Sequence, residues 1–455
     1  MTLAAQLAQR INRISWEKLP PQVVANAKSA ILDTVGVMLA GSHDEPTTRL
    51  LRVPGVHDAG PCLVLGRAIR TSALNAALVN GTSAHAMDFD DVNIALGGHP
   101  SAPLVPALFA LAELTEASGR NVITSFVTGF ETTTRIARGV NYHHYEKGWH
   151  PTVTLGIFGV AAACARLLKL SDSQTATALS ISASFASGVK ANFGTMTKPL
   201  HVGHCARNGL FAALLAQENC TASSEAFEDK QGFLNVFNGP GTFDCERMLA
   251  AWSQPFDIDQ PGLGIKLYPC CGSTHAAIDG MITLATQHGI RPDDIERIDA
   301  RIHARRLAHI NRPDPKSALD AKFSVQYCLA RALLERAVVV DHFENDAFLD
   351  VRARALTQKV HVEGYRNPAP DVGDHYAVDL SVTLKSGARI TIRQERPCGR
   401  TPEDPTPPER LKAKFESCAA RVLGSAKAPR LYAALDELEK MSSLRELIAD
   451  EALRV

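Results

Sequence analysis

Four polar clusters interrupt otherwise apolar stretches of this chain, and together they supply histidines, carboxylates, lysines and tyrosines. The first runs His85-Ala-Met-Asp-Phe-Asp-Asp91 and continues to Gly97-Gly-His-Pro-Ser101, three carboxylates in four residues followed by a histidine beside glycines. An Asp ahead of a helix also satisfies free N–H groups, so an acidic N-cap and a turn is the plain alternative. The second, His143-His-Tyr-Glu-Lys-Gly-Trp-His-Pro-Thr152, sets His150 at the mouth of an apolar helix. A helix N-terminus attracts anions; a capping loop with a backbone-bonded histidine is the alternative. Zinc on His143, His144 and His150 would lack H-E-x-x-H or any comparable ligand spacing. The third, Gly194-Thr-Met-Thr-Lys-Pro-Leu-His-Val-Gly-His204, puts Lys198 among small hydroxyl residues that include Thr195. Such a lysine either snorkels to the surface or is a cation placed to meet a carboxylate. The fourth, Lys266-Leu-Tyr-Pro-Cys-Cys-Gly-Ser-Thr-His275, falls where the character of the chain changes, and domain junctions favour small-molecule pockets. Cys270 and Cys271 are either a reactive pair or small buried hydrophobes.

Lysines with histidines suit a substrate that bears carboxylates and a proton transfer at the carbon beside one of them. Removing that proton adds negative charge next to an existing carboxylate, so nearby cations must stabilise it. The sequence has no Walker loop, no G-x-G-x-x-G after a strand and no metal signature, and no cofactor is expected.

Positioning these groups falls mostly to helices. Val24, Ala27, Ile31, Val35 and Met38 recur at three- and four-residue steps over 21–40, with Gly41 as a stop signal. Ser72 to Val79, Leu104 to Ser118, Val122 to Ala137, Thr175 to Ser187 and Asn208 to Gln217 behave alike. Thr152 to Leu168 is apolar on nearly all sides and rich in Gly and Ala, which predicts a buried helix closely approached by its neighbours. After Gly262 the period shifts. Ile295 to Arg305 alternates, Val360 to Glu363 is short and β-like, and Ala377 to Leu384 and Ala388 to Arg393 flank a Lys385-Ser-Gly387 turn that predicts a hairpin. Helical patterns at Thr274 to His288, Val325 to Arg336 and Asp350 to Gln358 lie between them. Gly399 to Pro408 holds four prolines and reads as a linker, and helices return at Pro408 to Leu423 and Pro429 to Leu447. The expected fold is mainly α with an inserted α+β domain: an all-helical domain over 1–265 completed by 400–455, and an α+β domain over 266–399.

Composition narrows the function classes. With 455 residues, 45% of them apolar, the chain can bury a large core. Its 48 basic and 48 acidic side chains balance, which argues against a nucleic-acid coat or a polybasic membrane binder; no nucleic-acid or membrane partner is expected. Ten scattered cysteines with no C-x-x-C pair read as reduced thiols in a cytoplasmic setting, without the spacing of an iron–sulfur or structural zinc site. The longest unbroken apolar stretch, Leu155 to Ala165, is short of the ~20 residues of a spanning helix. The N-terminus, with Arg10 and Arg13 and no acid before Glu17, fits an amphipathic organelle presequence or a first helix with Leu3, Leu7, Ile11 and Ile14 on one face; helical spacing favours the helix.

His85-Ala-Met-Asp-Phe-Asp-Asp91, Gly98-His-Pro-Ser101, His144-Tyr-Glu-Lys-Gly-Trp-His-Pro-Thr152, Gly194-Thr-Met-Thr-Lys-Pro-Leu-His201, Lys266-Leu-Tyr-Pro and Ala321-Lys-Phe-Ser-Val-Gln-Tyr327 resemble, in order, the motifs of the MmgE/PrpD family. The family includes 2-methylcitrate dehydratase, cis-aconitate decarboxylase and iminodisuccinate epimerase. The resemblance spans about residues 5–445. It implies a large all-helical domain built from both ends of the chain, a smaller α+β lid domain, a homodimer, and cofactor-free chemistry on a small anionic di- or tricarboxylate. Carried over, Asp88, His99, His150 and Tyr327 are catalytic, with Tyr145 a further proton-transfer group. Lys198 and Lys266, with Thr195 and Cys271, bind the substrate carboxylates. His99 or His150 exchanges the proton at carbon, Asp88 orients and charges a histidine, and Tyr145 or Tyr327 serves the opposite face or the leaving hydroxyl. Val92 stands where many members have Thr, the Asp88–His99 loop is one residue longer than in the decarboxylase branch, and Cys271 stands where that branch has His. Dehydration or hydration is therefore the first expectation, epimerisation beside a carboxylate the alternative, and decarboxylation a third. An aconitase-type cluster has no cysteine spacing to hold it.

Overall fold

The structure is a computed structural model that describes residues 1–366, 376–399 and 401–449. It is mainly helical with a small α+β part, and the chain divides into two compact units, Met1–Ile265 with Thr401–Val455, and Lys266–Arg400.

In the first unit, helix ends follow the capping chemistry. Ser72 accepts a hydrogen bond from the Asn75 N–H to open the Ala73–Ala86 helix, and Ser118 does the same from Asn121 for Gly119–Val140. Ser171 and Gln174 form a full capping box ahead of Asp172–Phe185. The amphipathic N-terminus is the Leu3–Asn12 helix, with Leu3, Leu7 and Ile11 buried. Phe126, Phe130 and Phe158 are fully buried in the core of this unit. Each such ring contributes about 1.5–3 kcal/mol relative to exposure.

Two glycine crossings set the helix spacing. A Cβ on Gly159 would lie 1.9 Å from the Thr133 hydroxyl, so the Gly119–Val140 and Gly156–Leu167 helices touch nearly backbone to backbone. A Cβ on Gly203 would lie 2.2 Å from the Leu78 carbonyl oxygen and 2.3 Å from Thr82 Oγ1. That second crossing joins the Ala73–Ala86 helix to the Thr197–Gln217 helix, which share the most extensive helix contact in the chain.

The stretch expected as one helix over 152–168 is two, Pro151–Thr154 and Gly156–Leu167, with a break at Leu155. The helix expected from Asn208 starts at Thr197 instead. Pro199 falls in its first turn, where an N–H has no intrahelical acceptor and proline is tolerated. The Pro21–Gly41 helix is long and apolar enough to cross a membrane although polar residues interrupt its apolar run; 72% of its apolar window is buried inside the protein.

The Lys266–Arg400 unit holds a four-stranded sheet. A short hairpin in the first unit, β1 (Cys62–Val64) and β2 (Ile69–Thr71), precedes it. The sheet's strands are β3 (Ile295–His303), β4 (Val360–Tyr365), β5 (Val378–Leu384) and β6 (Arg389–Gln394), in the order β4-β3-β5-β6. β3 pairs parallel to β4 and antiparallel to β5, and β5–β6 is the expected hairpin, turned at Gly387 with φ +86°. Ile298, Ala300 and Ile302 of β3 point into a core shared with the His275–Gln287 and Val325–Glu335 helices. The linker expected from Gly399 to Pro408 includes Arg400, which lies outside the described residues.

Candidate active site

The Ala73–Ala86 helix ends in the first polar cluster. Its last turn carries His85, Met87 caps it, and Asp88 takes a left-handed backbone with φ +52°. A non-glycine residue costs about 1–2 kcal/mol in that region. The conformation turns the Asp88 side chain toward Lys198.

The loop that follows is tied down at several points. Asp91 accepts from the Ser101 N–H (3.3 Å) and from the Ser101 hydroxyl, which caps the Ser101–Thr115 helix. Burial raises the Asp91 carboxyl well above its usual range, against the Ser101 hydrogen bond, and the charges of Asp33 and Asp90 add to the rise. Asn93 donates to the Gly262 carbonyl at 2.8 Å, and Val92 bridges Gly264. Lys414, on the Pro408–Leu423 helix, donates to the Phe89 carbonyl at 2.7 Å and pairs with buried Asp33 at 2.5 Å. The His99 N–H donates to Thr152 Oγ1 at 3.1 Å.

Within that frame five groups form a continuous chain, buried except for the partly exposed His99. His85 Nδ1 lies 2.9 Å from both Asp90 oxygens. His99 Nδ1 lies 3.1 Å from Asp90 Oδ2, and His99 Nε2 lies 3.6 Å from Asp88 Oδ1. Lys198 Nζ donates to Asp88 Oδ1 at 2.9 Å. The His85 and His99 rings meet edge to face at 4.7 Å, and His150 lies 5.8 Å from His85. Phe193 stands edge-on to His150 at 4.8 Å, with Lys198 Nζ 5.3 Å from its centroid. The Gly81–Gly203 crossing brings the helix that carries His85 and the helix that carries Lys198 this close.

Burial pushes His85 down to about 4, against the pull of Asp90. It pushes His150 well below the usual imidazole range, and the charges of His85 and Lys198 add to the fall. Asp90 stays well below the carboxylate range: burial opposes ionisation, but the charges and hydrogen bonds of His85 and His99 outweigh it. At neutral pH the site therefore holds neutral His85 and His150, an anionic Asp90, and Lys198. That is a set of imidazole bases beside a cation, suited to taking a proton from carbon next to a carboxylate. His85, Asp88, Asp90 and His99 each place a ligand atom within 4.8 Å of the others, which is spacing a metal ion could use. The Lys198 ammonium already supplies a positive charge at Asp88, and a divalent ion would have to displace it. Among the described residues, His143, His144 and His150 form no such group: His143 and His144 bond Asn238, and His144 also Thr154.

Of the residues named from sequence, the structure brings Asp88, His99, His150 and Lys198 together. Tyr145 lies under Lys190, whose Nζ is 3.4 Å from its ring centroid and donates to its carbonyl at 2.9 Å. Thr195 is exposed and donates to the Asn192 carbonyl. Lys266, Cys271 and Tyr327 belong to the other unit. There Lys266 is 1% exposed, Cys271 donates its N–H to the Lys322 carbonyl, and the Tyr327 hydroxyl sits 2.5 Å from the His342 carbonyl and 2.9 Å from Arg331 Nε. Sequence reasoning missed His85, Asp90 and His201 as site residues, although all three stand inside the quoted clusters. The signal for His85 was its place five residues before Asp90 across a helix end.

A helical scaffold that gathers imidazoles, carboxylates and a lysine at one place makes a site for acid–base chemistry. Residues 5–246 match the MmgE/PrpD N-terminal domain and residues 268–440 the MmgE/PrpD C-terminal domain, and the chain belongs to the MmgE/PrpD family. It is similar to the cis-aconitate decarboxylase of Homo sapiens, 29% identical over 98% of this chain and 94% of that protein. The cis-aconitate decarboxylase of Mus musculus is 28% identical over 97% and 91%, and that of Aspergillus terreus 25% over 98% and 96%.

Proposed function

We propose that the protein is a lyase that dehydrates or hydrates a small di- or tricarboxylate by proton transfer at the carbon beside a carboxylate. The observation that carries this reading is the run from His85 through Asp90, His99 and Asp88 to Lys198, with His150 alongside. In it Lys198 meets a substrate carboxylate and the charge that develops on deprotonation. One of His99 and His150 takes the proton from carbon and the other protonates the departing hydroxyl. Asp88 and Asp90 flank the two ring nitrogens of His99 and orient the ring. By family resemblance, Lys266, Thr195 and Cys271 are the further proposed substrate-binding groups and Tyr145 or Tyr327 a further proposed proton-transfer group.

Decarboxylation is the second reading, favoured by relatives that are cis-aconitate decarboxylases. Carbon dioxide loss would leave a carbanion stabilised at Lys198 and protonated by a histidine. The test is incubation with citrate-like, aconitate-like and substituted succinate acids in deuterated water, followed by NMR. Gain or loss of water across a double bond supports the first reading. Release of carbon dioxide replaces it with the second, and deuterium uptake with inversion and no alkene would make the protein an epimerase. No exchange and no product with any of these acids refutes the lyase reading.

A further inference from the structure

The site poses a question of proton traffic. His150 is 2% exposed, and its ring is enclosed by His85, Phe193 and His201. A histidine that takes a proton from carbon must lose it before the next turnover. His85 offers no exit, because its side chain is wholly buried with Nδ1 on Asp90. The only other ring nitrogen at hydrogen-bonding reach among the described contacts is on His201, whose Nδ1 lies 3.4 Å from His150 Nδ1, the outer limit of an N–H···N bond.

His201 sits on the Thr197–Gln217 helix one turn after Lys198, is partly exposed, and precedes the exposed His204 by a further turn. Gly188 on the facing segment lies against the ring: a Cβ there would be in ordinary contact with His201 Cγ at 3.5 Å, while Val153 Cγ2 would stand at 2.5 Å. The charged and titratable groups around His201 are Lys198 and His204 on its own helix and His150 opposite. Burial and the charges of Lys198 and His204 hold the His201 imidazole down at about 4, so it is a neutral ring able to pass a proton on.

We propose that His201 is the proton relay between His150 and solvent; this rests on reading the site as a proton-transferring centre. The steps balance as follows. His150 Nε2 takes the proton from substrate carbon, and the His150 imidazolium passes its Nδ1 proton to His201 Nδ1. His201 releases its Nε2 proton to water, which leaves both rings neutral. In the reverse, hydrating direction His150 Nε2 gives its proton to carbon, His150 Nδ1 recovers one from His201 Nδ1, and His201 refills Nε2 from water. His201 acts through His150 and need not touch the substrate.

The test uses His201→Asn and His201→Gln in the full chain, with turnover, deuterium exchange and histidine 15N NMR measured together. Expected are a fall in kcat of about tenfold to a hundredfold with KM within about twofold, at the low end of what a positioned proton-transfer group supplies. Added imidazole should restore part of kcat. In deuterated water the ratio of substrate exchange to turnover should drop, because the abstracted proton returns instead of washing out. The 15N shifts of the His150 ring should change in both variants without change in melting temperature. An unchanged exchange-to-turnover ratio with no imidazole rescue overturns the relay. If the wild-type protein turns over none of the acids, the lyase reading fails separately. The His150 15N shifts then decide the pairing alone, and shifts identical in wild type and variants overturn it. Should both variants fail to fold, 15N shifts in the wild-type protein showing no shared proton between the two Nδ1 atoms would overturn it.

Discussion

Lys414→Met should loosen the active-site loop from the far end of the chain. The Lys414 ammonium is 2.5 Å from Asp33 Oδ1, 2.7 Å from the Phe89 carbonyl and 4.0 Å from the Phe89 ring centroid, and Lys414 and Asp33 are 8% and 1% exposed. Removing one partner of such a buried pair costs about 3–5 kcal/mol, because the remaining charge is stranded in the core. The unit that contains it has roughly 320 residues. At an unfolding entropy of about 2.1 cal/mol/K per residue, its stability falls by about 0.7 kcal/mol per degree near the midpoint. The expected drop in melting temperature is therefore about 4–7 °C by scanning calorimetry. A cycle with Asp33→Asn separates the pair from the lysine's packing. The double variant should be more stable than the sum of the singles by about 1–3 kcal/mol. Turnover should fall more than KM rises, since the Phe89 carbonyl lies between Asp88 and Asp90. A melting shift under a degree, with a cycle that closes within about 0.5 kcal/mol, would refute the reasoning.

Lys198→Ala should cut turnover by at least about 10²–10³-fold while circular dichroism stays native; near-normal turnover would remove Lys198 from the mechanism. Asp90→Asn should lower kcat by about 10²-fold or more with little change in melting, because it disturbs the His85 and His99 tautomers, and an unaffected kcat would make Asp90 purely structural. Gly203→Ala forces a methyl into the Leu78 carbonyl and should reduce both melting temperature and turnover, the latter by pushing Lys198 off Asp88. His144 is pushed down to about 4 by burial, with hydrogen bonds to Asn238 and Thr154. The unfolded chain binds this proton near 6.5 and the folded one only near 4, so stability falls as pH drops through that window, by up to about 3 kcal/mol. His144→Gln should flatten that part of the melting profile, and an unchanged profile would locate the effect elsewhere.

The strands of the smaller unit were legible because alternation and turn chemistry are local. Ile298, Ala300 and Ile302 share a face, and Lys385-Ser-Gly387 closes the β5–β6 hairpin. The parallel pairing of β3 with β4 was not, since it joins segments some sixty residues apart through a backbone ladder that leaves no local mark in the sequence. At the site, residue type marked out the clusters that hold Asp88, His99, His150 and Lys198, and the resemblance to the MmgE/PrpD family picked those four residues within them. His201 escaped because the helical pattern was followed only from Asn208 onward, past Pro199 and Gly203. Proline is harmless in a first turn, and Gly203 is there to admit the Leu78 backbone. With the helix extended back to Thr197, Lys198 and His201 fall three residues apart on one face. Asp91 shows the converse: the plain capping reading was right for it, while Asp88 and Asp90 in the same motif face histidines.

The anchor on Phe89 lies 325 residues downstream, beyond the whole Lys266–Arg400 unit. At a synthesis rate of about 5–20 residues per second, roughly 15–65 s separate the emergence of the two partners from the ribosome. During that interval the segment with Asp88, Asp90 and His99 exists without its lysine clasp, and Asp33 without its counter-charge. A nascent chain arrested before residue 414 should be cleaved by protease at this loop, and release of the C-terminal helix should close it.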